Sequence, residues 1–263
     1  MAMGTAQMQG ALWGARAHEW ADLQEHGTSA VYDAAFDAVQ LARDACLLDV
    51  GCGAGLALSL AQKRGAAVSG LDAASELAEI ARSRCPGADI RVGELEDLPF
   101  ADESFDVVTG FNSFQYAADR VHGLQEAGRV MKADGRLVAA VWGNPDKCDM
   151  AGYIVALGSF MPPTPPGAPG PWALSPPGAL EELVAQAGFT PLGGEAVTVV
   201  FEFADEDAAV RGLLAAGPAV RAIEIAGEKA VAAAVLKAVE PYKRSDGSFA
   251  LGNEFRFVVA RKR

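Results

Sequence analysis

The 263-residue sequence predicts a doubly wound α/β fold with a mostly parallel sheet. Three observations predict it. Short apolar runs of strand length alternate with segments of helical periodicity between residues 46 and 142. Several of these runs end at Gly or Asp, residues suited to turns at the edge of a sheet. The first run leads straight into Gly51-Cys52-Gly53-Ala54-Gly55 and then a helix, a connection that lets a ligand approach backbone at the carboxyl edge of the strands.

The elements follow in order. Residues 1–10 are small and polar and are expected to fray. Residues 11–42 read as helical, with Leu12, Trp13, Trp20, Leu23, Val31, Tyr32, Phe36 and Val39 at helical spacing and a break near Gly27-Thr28-Ser29. Residues 46–50 form the first strand, 56–64 a helix stopped by Gly65, and 67–71 a second strand ending at Asp72. A helix over 74–84 ends at Pro86-Gly87. Strands at 90–92 and 105–109, a helix over 120–132 and a strand at 136–142 complete the regular part.

The second half is less regular. Eight of the 14 prolines fall between Pro162 and Pro177, which excludes a helix or central strand there and predicts an ordered cap or loop. A helix over 180–187 and a strand over 196–203 follow. An Ala-rich helical stretch over 206–239 breaks at Gly217-Pro218 and Gly227, and 255–260 is the last strand.

Composition narrows the function. Apolar residues at 51% and charged residues at 21% exclude global disorder. With 22 basic and 34 acidic residues the formal charge is −12, and no Lys or Arg lies between Lys147 and Arg211. Duplex binding needs clustered cations, so nucleic acid is not an expected partner, and the acidity argues against docking on anionic membranes. Cys46, Cys52, Cys85 and Cys148 include no Cys-X-X-Cys pair and His numbers only three, so no zinc set is expected. The cysteines read as reduced thiols of a cytoplasmic protein. No basic-then-apolar leader opens the chain, and no apolar run reaches the ~18 residues that span a membrane.

The informative stretch is Leu47 to Gly55. Its glycine turn alone is a weak nucleotide signal. Asp49, at the end of the first strand, repels a pyrophosphate and attracts an ammonium or sulfonium. The third glycine also comes one residue earlier than in Gly-X-Gly-X-X-Gly. Asp72 ends the second strand 21 residues after Gly51, the acidic position that faces a ribose in such folds; it can also cap the following helix. The loop from Gly93 to Phe100 and the turn Gly110-Phe111-Asn112 are the next carboxyl ends of the sheet.

At these residues the sequence resembles the class I S-adenosylmethionine-dependent methyltransferases, most like the small-molecule branch that includes the ubiquinone and menaquinone C-methyltransferases. The likeness lies in Leu-Asp-Val-Gly-Cys-Gly-Ala-Gly at 48–55, Gly-Leu-Asp at 70–72, Glu-Asp-Leu-Pro-Phe-Ala-Asp-Glu-Ser-Phe-Asp-Val-Val at 96–108 and Arg-Val-Met-Lys-Ala-Asp-Gly-Arg-Leu-Val at 129–138. It covers roughly residues 46–143. It implies a Rossmann-like seven-stranded sheet whose last strand, near 255–260, is antiparallel. It implies that Asp49, Gly51, Cys52 and Gly53 hold the methionine portion of the cofactor, that Asp72 binds ribose with Ala73 packed on adenine, and that Glu94, Leu95 and Phe111 add contacts. Glu94 stands where many members carry Asp, and Ala133-Asp134-Gly135 replaces their usual Pro-Gly-Gly.

The expected arrangement is one methyltransferase domain. An N-terminal helical lid (1–42) precedes a cofactor core (43–143), a Pro-rich cap loop (144–178) and the remaining sheet (179–263) with a helical cap insertion at about 205–245. The expected reaction moves a methyl group from S-adenosylmethionine to a small, largely apolar acceptor without a metal, leaving S-adenosylhomocysteine. Trp142, Tyr153, Phe160, Met161 and Trp172 either form the acceptor pocket or only pack the cap. Trp13 and Trp20 either cover the cofactor or cap the core. His18 and His26 are the candidates for a general base, although a sulfonium needs little more than alignment of the acceptor. The chain is expected to act as a monomer or homodimer. The rival functions are a cofactor-binding regulator or subunit partner that transfers nothing and a nicotinamide-dependent oxidoreductase; Asp49 and the glycine spacing disfavour the latter.

Overall fold

The computed structural model describes residues 4–163 and 170–263. Residues 1–3 of the expected lid and 164–169 of the expected Pro-rich loop lie outside the described residues.

Seven strands form one sheet in the order β3-β2-β1-β4-β5-β7-β6. They are β1 (Cys46–Val50), β2 (Ala67–Asp72), β3 (Asp89–Val92), β4 (Phe105–Phe111), β5 (Met131–Trp142), β6 (Phe189–Phe203) and β7 (Phe249–Lys262). The first five pair in parallel, and β7 runs antiparallel to both β5 and β6. The central strands are apolar along their length because both faces are covered. Leu47 and Val107 point to one side, while Leu48, Val50 and Val108 point to the other, and all five are buried.

Helices cover both sides. On one lie α3 (Ser29–Ala38), α4 (Leu56–Lys63) and α5 (Ser75–Arg84), with Phe36, Leu58 and Ala81 in the core. On the other lie α6 (Arg120–Val130) and α8 (Ala179–Gln186), with Leu124, Val184 and the ring of Phe189. The order of the chain reverses between β1 and β4, so crossovers leave in opposite directions there and open a crevice at the strands' carboxyl ends. Two groups of helices close over that crevice. One is N-terminal: α1 (Ala6–Gly14), the short α2 (Ala17–Glu19), a π turn over Trp20–Gln24 and a 3₁₀ turn over Glu25–Thr28. The other comprises α7 (Ala151–Gly158), α9 (Glu206–Leu214), α10 (Gly217–Ala226) and α11 (Glu228–Val239). Among the described residues no helix is long and apolar enough to cross a membrane.

Three sequence expectations are corrected. The N-terminus is helical from Ala6, not frayed through residue 10. Small residues there serve close packing: a Cβ on Gly10 would lie 2.3 Å from the Ala73 carbonyl oxygen. Met131 and Lys132 belong to β5, not to the preceding helix, because Met131 pairs with Phe105. Strands β6 and β7 are far longer than their apolar cores, pairing from Phe189↔Lys262 to Phe203↔Phe249. Pro191, Gly193 and Gly194 mask the first half of β6 in the sequence, and the ladder passes them with a register shift between Pro191 and Gly193.

Candidate active site

The glycine turn after β1 adopts a backbone that other residues resist. Gly51, Gly53 and Gly55 have φ of 77°, 54° and 83°. A Cβ on Gly51 would stand 2.4 Å from the Cβ of Ser113. The turn is tied to the neighbouring strand, since the Gly51 and Cys52 amides both donate to the Leu71 carbonyl at 2.7 and 3.0 Å.

Asp72 completes that tie. Its Oδ2 accepts from the Gly53 amide and its Oδ1 from the Ala74 amide, each at 2.8 Å. One carboxylate therefore holds the β1 and β2 turns together, and each oxygen keeps a second lone pair. Burial pushes the Asp72 carboxyl upward from its ordinary range, and the amides of Ala74, Gly53 and Ala73 pull it back.

Asp49 is buried behind the turn. Thr109 donates to its Oδ1 at 2.7 Å. Burial pushes its pKa up to about 7; the Thr109 hydroxyl opposes the shift, and the charges of Asp72 and Glu25 add to it. The Asp49 side chain does not reach the cavity wall. The same holds for Cys52, expected among the cofactor contacts. Its thiol fills the space against Gly70, where an added Cβ would sit 2.8 Å from Sγ, and burial pushes it far from ionisation.

The N-terminal turns supply a third carboxylate. Glu25 is 3% exposed, pairs with Arg84 and accepts from the Leu56 amide at the start of α4 at 3.3 Å. Burial raises its pKa, and Arg84 opposes that rise. Three buried carboxylates, Asp49, Asp72 and Glu25, thus cluster about the glycine turn. The Arg84 guanidinium lies against this cluster through its pair with Glu25.

In front of the turn lies a cavity of about 810 Å³. Its polar end is walled by Gly51, Gly53, Asp72, Ala73, Glu94 and Leu95. Phe111 stands at the middle, edge-on to Tyr32 at 4.6 Å between centroids. The other end is apolar and includes Trp142, Met150, Tyr153, Leu157, Met161 and Phe255. The Tyr153 hydroxyl donates to the Leu213 carbonyl at 2.8 Å, which ties α7 to α9. Trp13 and Trp20 also reach the wall, packed edge-to-face at 5.0 Å.

Glu94 is engaged by the N-terminal helix: its Oε2 accepts from the Ala6 amide at 2.8 Å, while the Thr5 hydroxyl donates to the Tyr116 carbonyl at 2.8 Å. Four other expected residues lie off the wall. Phe160 packs against the core, and Trp172 stacks on Trp142 at 5.8 Å without lining the cavity. His18 and His26 are exposed, because the phase of the N-terminal turns points them outward, so neither is positioned as a general base.

Sequence reasoning missed Gln24 and Ser113 and gave Asn112 no role of its own. All three line the cavity. Gln24 Oε1, Asn112 Oδ1 and Ser113 Oγ are buried with no hydrogen-bond partner among the described residues. The signal for Gln24 was a polar residue between the apolar positions Leu23 and Val31; it did not distinguish a buried amide from a solvated one. Arg120 is the one Lys or Arg on the wall among the described residues, and its Nε donates to the Gln115 carbonyl at 3.2 Å. Among those residues no group of three or more His, Cys, Asp or Glu is placed to hold a metal ion.

With this geometry in view, the comparisons with known proteins are specific. Residues 48–139 match the family described as a methyltransferase domain. The sequence likeness of these residues is to class I, S-adenosylmethionine-dependent enzymes that act on small molecules. The demethylmenaquinone methyltransferase of Chlorobaculum parvum is 39% identical over 94 residues, 35% of this chain and 39% of that protein. The 27-O-demethylrifamycin SV methyltransferase of Amycolatopsis mediterranei is 32% identical over 138 residues, 48% of this chain and 51% of that protein. The chain thus spans about half the length, or less, of these curated relatives. The likeness in fold extends beyond residues 48–139. Geranyl diphosphate C-methyltransferase from Streptomyces coelicolor superposes with a TM-score of 0.52 over 89% of this chain and 76% of that one, at 18% identity.

Proposed function

We propose that the protein transfers the methyl group of S-adenosylmethionine to a small, largely apolar organic acceptor and releases S-adenosylhomocysteine. The observation that carries this reading is the two-ended cavity, with an acidic glycine turn at one end and an aromatic wall at the other. The residues fit the cofactor. Gly51 and Gly53 line the cavity without side chains of their own, and Asp72 offers its remaining lone pairs to two ribose hydroxyls. Asp49, Asp72 and Glu25 favour a cation, and the orphaned oxygens call for ligand donors.

When bound, the cofactor supplies a methyl group already activated on a sulfonium. The chain's part is positioning and exclusion of water. Trp13 and Trp20 cover the polar end; Trp142, Tyr153 and Met161 offer the acceptor an apolar surface. Tyr153 is engaged with Leu213, and burial pushes the hydroxyls of Tyr153 and Tyr32 upward. A base on the chain is therefore lacking at the apolar end among the described residues, which suits a carbon or nitrogen acceptor that arrives nucleophilic. The acceptor itself is open: one relative is named for demethylmenaquinone and another for 27-O-demethylrifamycin SV.

Calorimetry with S-adenosylhomocysteine, NAD and NADP tests the reading. Binding of the first alone is expected; binding of a nicotinamide cofactor alone overturns it. Turnover of radiolabelled S-adenosylmethionine with a cell extract then separates a transferase from a binder, for which no labelled product forms.

Affinity should also depend on pH. A bound cation favours ionised Asp49, whose pKa in the free protein is about 7, and Asp72 and Glu25 face the same turn. S-adenosylhomocysteine binding should therefore tighten as pH rises from 6 to 8, by at most about tenfold per unit below 7. Asp49→Asn should flatten that dependence; an unchanged slope removes Asp49 from the linkage.

A further inference from the structure

The π turn at Trp20–Gln24 interrupts the N-terminal helices beside the glycine turn. Such single π turns often mark functional sites. A Cβ on Gly53 would lie 3.4 Å from Glu25 Oε1 and 3.8 Å from Trp20 Nε1, so this segment faces the turn directly. Gln24 is 4% exposed, lines the cavity and carries an orphaned Oε1. From the opposite side comes Ser113, 7% exposed, with its Oγ also orphaned. Ser113 belongs with the turn because its Cβ stands where a side chain on Gly51 would be. It follows Asn112, whose φ of 54° turns the chain sharply after β4.

Leaving buried oxygens unpaired costs free energy unless a ligand supplies donors. A carboxylate can accept from the Ser113 hydroxyl but offers nothing to the Gln24 amide oxygen, whereas an ammonium can donate to both and carries the positive charge that Asp49, Asp72 and Glu25 favour. Arg84, the cation acting on this cluster, already pairs with Glu25.

We propose that Gln24 and Ser113 form a specificity pair that reads the ammonium on the amino-acid end of the nucleoside ligand. The proposal rests on the methyl-transfer reading and adds to it which side chains choose the ligand. Gln24 lies on the N-terminal segment that covers the cavity, so covering the site and recognising the amino-acid end occur through one residue. A nucleoside thioether without the ammonium should leave the Gln24 amide oxygen unpaired and be held more weakly.

Calorimetry on the full chain tests this with two probes, S-adenosylhomocysteine and its deamino analogue, which keeps the carboxylate. The wild type should prefer S-adenosylhomocysteine. Gln24→Met, which keeps the volume and removes the acceptor, should weaken that ligand about ten- to hundredfold and leave the analogue nearly unchanged. Ser113→Ala, which deletes one oxygen, should narrow the preference in the same direction and carries the test if the Met variant misfolds. Equal weakening of both probes, or no weakening of either, overturns the pair as a reader of the ammonium. A wild type that binds both probes equally overturns this proposal alone. A wild type that binds neither overturns the methyl-transfer reading as well.

Discussion

Asp72→Ala is expected to weaken S-adenosylhomocysteine binding about 10- to 150-fold and to lower the melting temperature of the free protein. The affinity loss follows from the removal of charged acceptors for both ribose hydroxyls, since hydrogen bonds to a charged partner contribute about 1.5–3 kcal/mol. The stability loss has a separate cause. The carboxylate accepts from the Gly53 and Ala74 amides, and truncation leaves both without it in a site that is 8% exposed. An orphaned buried donor costs about 1–3 kcal/mol, so the two turns should loosen together. Asp72→Asn is the informative control. Its single carbonyl oxygen can satisfy one amide, while its NH₂ faces the other, so it should recover part of the stability and little of the affinity. Calorimetry and thermal melts measure the two losses. A folded Ala variant with wild-type affinity would remove Asp72 from the ligand site and leave it a structural tie.

The legible part of this site is the part built by local chain geometry. Gly51, Gly53 and Asp72 sit at strand ends, where strand length, turn chemistry and spacing fix both conformation and position. The seven-stranded sheet and its antiparallel last strand were likewise expected, through the resemblance, from the motifs at 48–138. What escaped depends on tertiary placement. Helical periodicity locates His18 and His26 on the N-terminal segment, but only the phase of the short α2 and of a 3₁₀ turn decides that both point to solvent. Aromatic composition marks a cap without sorting its members: Trp142 reaches the cavity, while Trp172 packs on Trp142 from outside the wall. Asp49 was read for its charge. The fold instead buries that charge behind the backbone with Thr109, so its field rather than its oxygens acts on a ligand. Gln24 and Ser113, 89 residues apart in sequence, line one cavity, and no local pattern carries that encounter.

Replacing Arg84 with Met should cost about 3–5 kcal/mol of stability at pH 8, because it strips a buried carboxylate of its partner. Glu25 is 4% exposed and the Arg84 side chain 26% exposed, so the pair lies largely out of water. Burial already raises the Glu25 pKa with Arg84 in place. Without the guanidinium it should rise further, since the charge and hydrogen bond of Arg84 are what oppose the effect of burial. The sign of the pH effect follows. The unfolded chain releases this proton near pH ~4.3, whereas the folded variant keeps it to a higher pH. Between those two values the folded state binds the extra proton, and stability falls as pH rises. The deficit relative to wild type should therefore be smaller at pH 5 than at pH 8. Glu25 also caps the start of α4 through the Leu56 amide, so the glycine turn should loosen as the deficit grows. Urea titrations of both proteins at the two pH values measure it. A deficit of equal size at both would assign the loss to packing of the Arg84 stem, and no deficit would mean that the ion pair contributes nothing to holding the N-terminal turns on the sheet.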